Sequence, residues 1–188
     1  ISTVNMLGCH DGIPLLDLKG LLPKEEIQSL IERIVSRGGM VKNLHGQKNL
    51  YYQVNATYYS ALGESDEKML LARAIQMFMP GKPQIWYLDL FAGKNDHEAV
   101  QRAGESGHKE INRTNLSVDQ IAEGLKKDVV QKQLALIRMR NTHKAFSEGA
   151  EVTISGEESS LKIRWEYDGA YAELHVNFEE GTYTIESN

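Results

Sequence analysis

Apolar residues follow a helical period through most of the chain and an alternating period through its last forty residues. From Pro23 to Arg37, the residues Ile27, Leu30, Ile31, Ile34 and Val35 fall on one face. Pro23 suits a first helical position, Glu25 and Glu26 suit the N-terminal dipole, and Gly38-Gly39 closes the segment. Leu70, Leu71, Ala74, Ile75 and Phe78 repeat that spacing between a capping Ser65 and a terminating Pro80-Gly81. Ser117-Val-Asp-Gln120 reads as a capping box opening a helix that breaks near Gly124. A further helix runs from Asp128 to about Phe146, carrying Val129, Val130, Leu134, Ile137 and Met139. Beyond Gly149, four alternating runs (Val152–Ile154, Leu161–Trp165, Tyr171–Val176 and Thr182–Ile185) predict strands. Asp168-Gly169 and Glu180-Gly181 supply hairpin turns between them, giving a small antiparallel β domain that starts near residue 150.

One run has no period. Gln84-Ile85-Trp86-Tyr87-Leu88 is apolar on both faces, which predicts a strand buried between layers, as in a parallel sheet covered by helices. It leads into a polar, glycine-bearing loop from Asp89 to Asp96. A helix feeding such a strand is one step of an α/β fold, where function collects beyond the carboxyl ends of strands. Ile1 to Leu7 is a second β-favouring run, and it ends in Gly8-Cys9-His10-Asp11-Gly12. His10 and Asp11 are either functional groups at a strand end or a pair that braces an Asp-Gly turn. Met40 to Tyr59 is polar and rich in Asn and Tyr, with His45, Gly46, Gln47 and Lys48 together. Tyrosines beside amides suit sugar binding, and they equally suit an ordinary packed loop. Lys94 to Leu116 is a long polar segment, of a length that accompanies function or disorder.

Composition narrows the classes. With 188 residues, 41% hydrophobic and 25% charged, the chain is an ordinary globular sequence holding one domain or one and a half. A net charge of −5 with no basic stripe argues against nucleic acid as a partner. No apolar run approaches membrane-spanning length and there is no secretion signal, so no membrane partner is expected. The single cysteine, Cys9, excludes an intrachain disulfide and suits a reducing cytoplasm. No second His or Cys stands at metal-ligand spacing from His10. There is no internal repeat and no low-complexity linker.

Read together, Cys9-His10-Asp11-Gly12-Ile13, the run from Tyr52-Gln53 to Gly63, Phe91-Ala-Gly-Lys-Asn-Asp96 and Ile111-Asn112-Arg113 resemble the sucrose phosphorylase subfamily of the α-amylase clan, glycoside hydrolase family thirteen. The resemblance covers the chain through Phe146 and thins in the β domain. It implies an α/β fold made of the last two βα units of a (β/α)8 TIM barrel, followed by the β domain. Residues 1–148 are the barrel part and 149–188 the β domain. Ile1–Leu7 is then barrel strand seven, 15–59 an inserted subdomain, Asp66–Met79 helix seven and Gln84–Leu90 strand eight. An N-terminal part is expected to precede Ile1.

The chemistry implied by the resemblance is retaining phosphorolysis of sucrose to α-glucose 1-phosphate and fructose. Sucrose and inorganic phosphate are its substrates, and no metal or organic cofactor takes part. The nucleophile and the acid/base of such a reaction precede Ile1 in the family, so the chain alone is expected to be inactive. Asp11 matches the carboxylate that stabilises the oxocarbenium-like transition state, and His10 a hydrogen-bonding partner of the glucosyl unit. Tyr52 and Gln53 match the loop that recognises acceptor and phosphate, and Arg113 an arginine gripping glucose. One departure bears on the acceptor: Asn49-Leu50-Tyr51 stands where the family carries Leu-Asp-Leu or Leu-Asp-Ile, so an acid that contacts fructose is replaced by Leu50. His45 and Lys48 lie nearby, as phosphate-binding groups or as solvated loop residues. Sucrose 6′-phosphate is therefore a rival substrate, and glucosylglycerate a weaker one. A stand-alone sugar-binding or assembly module is the alternative from another class. Unpaired parallel strand edges predict self-association or a homo-oligomer.

Overall fold

The computed structural model describes residues 3–43 and 51–188. The elements run in the order β1 (Val4–Asn5), β2 (Ile13–Pro14), α1 (Lys24–Ser36), β3 (Met40–Asn43), β4 (Tyr51–Asn55), α2 (Tyr58–Ala61), α3 (Asp66–Phe78) and β5 (Lys82–Pro83). They continue with α4 (Tyr87–Leu90), α5 (His97–Ala103), α6 (Val118–Gly124), α7 (Asp128–Thr142) and the strands β6 to β9 (Glu151–Glu157, Ser160–Tyr167, Ala170–Asn177 and Thr182–Ser187). Short 3-10 segments lie at Leu16–Leu18, Gly104–Asn112 and Lys144–Phe146. Packing divides the chain into two compact units, Ile1–Leu7 with Asp66–Gln84 and Leu125–Asn188, and Gly8–Ser65 with Ile85–Gly124. Among the described residues, no helix is long and apolar enough to cross a membrane.

In the first unit, α3 packs on α7, burying Met69, Leu70, Ala74, Met77 and Phe78 against Val129, Val130 and Leu136. Polar groups thread this core. Arg73 is fully buried; its Nε donates to Gln133 at 2.8 Å and its Nη1 to Gln76. The Gln76 amide in turn donates to the carbonyls of Asn5, at 3.1 Å, and Gln84, at 2.9 Å. The last turn of a helix leaves carbonyls without partners, and here side chains supply them. Arg140 donates to Met77 and Gly81, and the Trp165 indole donates to Phe78 at 2.7 Å. The Arg140 guanidinium also lies over the rings of Phe146 and Trp165, and its burial holds its pKa below the ordinary arginine value.

The four predicted strands form an antiparallel meander in the order β6-β7-β8-β9. Alternation holds in part: Ile163, Trp165, Ala172, Leu174 and Val176 are buried, whereas Ile154 on the edge strand β6 is exposed and Glu173 is buried among charged partners. The β7–β8 turn has both Asp168 and Gly169 at positive φ, as a two-residue hairpin requires. The sheet begins at Glu151, next to the boundary expected near 150, and packs in one unit with 66–84 and 125–148.

The second unit is built around β2, β4 and β3, paired antiparallel in that order. Leu15, Ile31, Ile34, Val54, Ala56 and Ala61 form its buried cluster, so residues 13–61 hold a small core of their own. On α1, Ile31 and Ile34 face that core while Leu30 and Val35 stay exposed, a narrower apolar stripe than the sequence pattern predicted. Pro23 precedes the helix as its cap instead of occupying its first position.

The expected strands need correction. Ile1 and Ser2 lie outside the described residues, and of residues 3–7 Val4–Asn5 alone forms a strand, paired parallel with β5 through Val4 opposite Lys82 and Asn5 opposite Pro83. Gln84–Leu90 is not a strand. The strand lies just before it, at Lys82–Pro83, and Tyr87–Leu90 makes one helical turn capped by Trp86. The reason is polar satisfaction. The Trp86 indole donates to the carbonyl of Asn112 at 3.2 Å and the Tyr87 hydroxyl to that of Thr114 at 2.5 Å. These rings therefore turn toward loop backbone and keep partial exposure, and Leu88 is buried in a helix rather than a strand.

The packing separates two substitutions. Phe78→Ala should cost about 3–5 kcal/mol, because Phe78 is 1% exposed and edge-on to Phe146 at 5.2 Å. Val118→Ala, at a position 81% exposed, should change stability by less than about 0.5 kcal/mol. Urea unfolding of both variants checks the difference.

Candidate functional site

The strand-end loop Gly8–Gly12 is shaped by close approach. A Cβ on Gly8 would sit 2.7 Å from the Asp89 carboxylate, the same group that accepts the Gly8 N–H at 2.9 Å. Gly12 has φ +149°, and a Cβ there would meet Asn55 Oδ1 at 2.7 Å and the Val54 carbonyl at 2.9 Å. Between the two glycines, the Cys9 carbonyl accepts from Asn112 Nδ2 at 2.6 Å and the His10 carbonyl from Arg113 Nε at 2.9 Å. Gln53 Nε2 donates to the Asp11 carbonyl at 3.2 Å and to Asn55 Oδ1 at 2.8 Å.

This backbone presents the Asp11 carboxylate to cations. Lys109 Nζ hydrogen-bonds Oδ1, Arg113 Nη2 lies 3.6 Å from the same oxygen, and His10 Nε2 lies 3.5 Å from Oδ2. The Lys109 hydrogen bond, with the charges of Lys109, His10 and Arg113, holds the Asp11 carboxyl below the usual carboxylate range, against a smaller opposing effect of burial. Arg113 is held in turn by Glu110 at 3.3 Å. The His10 ring lies 6.0 Å from that of Trp86, which packs on Tyr87 at 4.5 Å. The result is an ionised, half-exposed carboxylate beside a guanidinium fork and an aromatic surface. Such a set can bind sugar hydroxyls and stabilise positive charge that develops beside it.

The structure thus brings His10, Asp11 and Arg113 together. Gln53 lies beside them, buried, as a brace of the loop backbone. Tyr52 precedes it on β4. His45, Lys48 and Leu50 lie outside the described residues. Sequence reasoning did not single out Lys109, Asn112 or Asp89. Asn112 carried a signal, since it sits inside the Ile111-Asn112-Arg113 run, whereas Lys109 is one of several charged residues in a polar segment. The loop from Phe91 to Asp96 supplies support. Asn95 Oδ1 accepts from Thr57 N at 2.8 Å, and Asp96 caps α5 through Ala99 N at 2.8 Å while accepting from the Thr114 hydroxyl at 2.9 Å.

Among the described residues, two groups of side chains have donor atoms close enough to share a cation, Cys9 with His10 and Asp11, and Glu173 with His175 and Glu186. Neither surrounding suits one. Asp11 already faces Lys109 and Arg113, and the buried Glu173 carboxylate is taken by Lys162 at 2.8 Å, Arg164 at 3.3 Å and His175 at 2.6 Å.

No protein-family model matches the chain. Known proteins do. The sucrose 6(F)-phosphate phosphorylase of Ilumatobacter coccineus is 53% identical over 98% of this chain and 37% of its own length. The sucrose phosphorylase of Streptococcus mutans is 37% identical over 97% of this chain and 39% of its own. The crystal structure of sucrose 6F-phosphate phosphorylase from Thermoanaerobacter thermosaccharolyticum superposes on the whole chain with a TM-score of 0.93 at 39% identity, over 38% of that protein. The chain therefore spans less than two fifths of the length of these relatives. With its α/β architecture and small antiparallel sheet, it matches the C-terminal part of a glycosyl-transferring phosphorylase. Within that class, it belongs by homology to the sucrose phosphorylase family.

The carboxylates make stability fall in acid. The hydrogen bond from Ala99 N, aided by the Thr114 hydroxyl, holds Asp96 below the usual range, as Lys109 does Asp11. Depressed in the fold, both bind more protons when unfolded, so their stabilisation is present above the unfolded value and lost as pH drops through the folded one, below about pH 4. Asp96→Ala should cost about 1 kcal/mol at neutral pH through the lost cap, and its urea midpoint should fall less steeply than the parent's on acidification.

Proposed function

We propose that this chain is the C-terminal part of a retaining phosphorylase that converts sucrose 6′-phosphate and inorganic phosphate to α-glucose 1-phosphate and fructose 6-phosphate. The observation that carries this reading is the 53% identity, across almost the whole chain, to a sucrose 6(F)-phosphate phosphorylase, together with the cation-held Asp11 carboxylate. The parallel pairing of β1 with β5 supports their assignment as adjacent strands seven and eight of a (β/α)8 barrel, with strand eight at Lys82–Pro83. The separate core of residues 13–61 supports an insertion between them.

In the reaction, a carboxylate nucleophile supplied by the preceding part of the enzyme attacks C1 of the glucosyl unit. The bond from C1 to the fructosyl oxygen breaks, and a second carboxyl protonates the departing oxygen. Phosphate then displaces the enzyme carboxylate, and the configuration at C1 is retained. Asp11 contributes a fixed negative charge where C1 becomes cationic. His10 and Arg113 bind hydroxyls of the same sugar, and Tyr52 and Gln53 border the acceptor side. His45 and Lys48 take the 6′-phosphate, which an acid at position 50 would repel.

In the complete enzyme, Asp11→Asn should lower kcat about 10²–10³-fold. Release of glucose 1-phosphate from sucrose 6′-phosphate and from sucrose, measured side by side, tests the acceptor. Lys48→Ala should cost about tenfold or more in kcat/KM for the phosphorylated sugar and leave sucrose unaffected. Equal use of both sugars by the parent enzyme would sink the assignment of His45 and Lys48. The chain by itself should release no glucose 1-phosphate.

A further inference from the structure

Lys109 stands at the site without an assigned role. It lies near the end of the 3-10 segment Gly104–Asn112, and that end is fixed. Ile111 is fully buried, its carbonyl accepts the Asp96 N–H at 2.9 Å, and Asn112 is bonded to the Cys9 carbonyl. An anchored backbone therefore delivers the ammonium to Asp11 Oδ1, and the Lys109 side chain is only 30% exposed. A long side chain on a free surface would lose its rotamer entropy for little gain in such a contact, whereas an anchored, partly covered one loses less.

The other basic groups near Asp11 hold it less directly. Arg113 uses Nε on the His10 carbonyl and Nη1 on Glu110, and only Nη2 reaches toward Asp11, at 3.6 Å. The His10 ring stands 3.5 Å from Oδ2 and is largely exposed. Around the carboxylate, the 3-10 segment and its end contribute Lys109, Glu110 and Arg113, and the loop contributes His10 and the Cys9 thiol, which meets the Asp11 N–H at 3.4 Å. β4 contributes the neutral amides of Gln53 and Asn55. Of these groups, Lys109 alone makes a hydrogen bond to the carboxylate oxygens, among the described residues.

We propose that Lys109 is a positioning residue for Asp11: it fixes the rotamer of the carboxylate and keeps it anionic where the glucosyl unit binds. This rests on the reading of Asp11 as the group that stabilises the transition state. The depressed Asp11 pKa accords with it. A carboxylate that must face a fleeting positive charge gains from being oriented beforehand, because reorientation during the reaction adds to the barrier. Lys109 touches one oxygen, Oδ1, and leaves Oδ2 toward His10 and the sugar.

The test uses the complete enzyme as the parent, Lys109→Met and Lys109→Arg, with Asp11→Asn as reference. Phosphorolysis of sucrose 6′-phosphate and of sucrose is followed from pH 5 to 8. Carbon-13 NMR follows the Asp11 carboxyl through acid titration in the same proteins. The expected result for Lys109→Met is a kcat about tenfold lower, a KM changed less than about twofold, and an Asp11 titration moved upward. Lys109→Arg should recover most of both. A kcat for Lys109→Met equal to the parent's, or higher because the ammonium opposes the developing cation, would overturn the proposal. So would an unmoved Asp11 titration. A parent enzyme that releases glucose 1-phosphate from neither sugar would instead reject the proposed function. If Lys109→Met loses its fold by circular dichroism, the Lys109→Arg titration and rate decide alone, with parent-like values required.

Discussion

The site depends on two successive carbonyls that no sheet satisfies. Cys9 and His10 lie beyond the end of β1, and their carbonyls are taken by the side chains of Asn112 and Arg113, at 2.6 and 2.9 Å. A hydrogen bond to a charged group contributes about 1.5–3 kcal/mol and a neutral one about 0.5–1.5, so these two neighbours, with Asp89 on the Gly8 N–H and Gln53 on the Asp11 carbonyl, fix the loop. The consequence reaches the side chains. With Nε held by the His10 carbonyl, the two ends of the Arg113 fork must point to Asp11 and Glu110. The Asn112 carbonyl accepts the Trp86 indole, which places that ring beside His10. One pair of contacts thus sets carboxylate, guanidinium and aromatic surface together.

The same device recurs in the other unit, where it supports the fold instead of a site. The last carbonyls of α3 are met by Arg140 from α7 and Trp165 from β7, and Gln76 takes the carbonyls flanking the β1–β5 pair. A parallel pair of two residues on each strand has few ladder bonds of its own. Side chains with planar groups, the buried Arg73, Gln76 and Gln133 and the half-buried Arg140, compensate by linking helix to helix and helix to strand end. Such networks fix geometry more strictly than apolar packing does, because each donor has few acceptable directions.

Elements with a strong period were legible in the sequence. α3 and the β6–β9 meander follow from apolar spacing; α7 begins at Asp128 as expected but ends at Thr142, with Lys144–Phe146 a separate 3-10 turn, and it buries Gln133 and Leu136 where Leu134 and Ile137 were expected. The Ser117–Gln120 capping box forms in both directions, Ser117 N to Gln120 Oε1 at 2.8 Å and Gln120 N to Ser117 Oγ at 3.2 Å. Ile85 to Leu88 was misread because a short run of uninterrupted apolar residues carries no period, and what decides its conformation is a pair of hydrogen bonds to carbonyls near residue 113. Within the site, His10, Asp11 and Arg113 were legible through their motifs. Lys109 and Asp89 were not. Each acts on a partner at least 81 residues away in sequence, and Asp89 acts on a main-chain amide, for which no side-chain pattern exists.

The division of labour in the second unit explains how one scaffold can serve different acceptors under the proposed function. The glucosyl side is assembled from residues tied to loop backbone, Asn112 to the Cys9 carbonyl and Arg113 to that of His10, so a change there disturbs the loop as well. The acceptor side draws on 44–53, and the strands on either side of 44–50 are locked by the pairs Met40 with Asn55, Val41 with Val54 and Lys42 with Gln53. Those pairs, with Val54 and Ala56 buried beside them, give the second unit a strand frame held by its own described residues. Under the proposed function, the replacement of an acid by Leu50, with His45 and Lys48 close to it in sequence, acts on the charge offered to the leaving group, while Asp11 and Arg113 keep the partners described above.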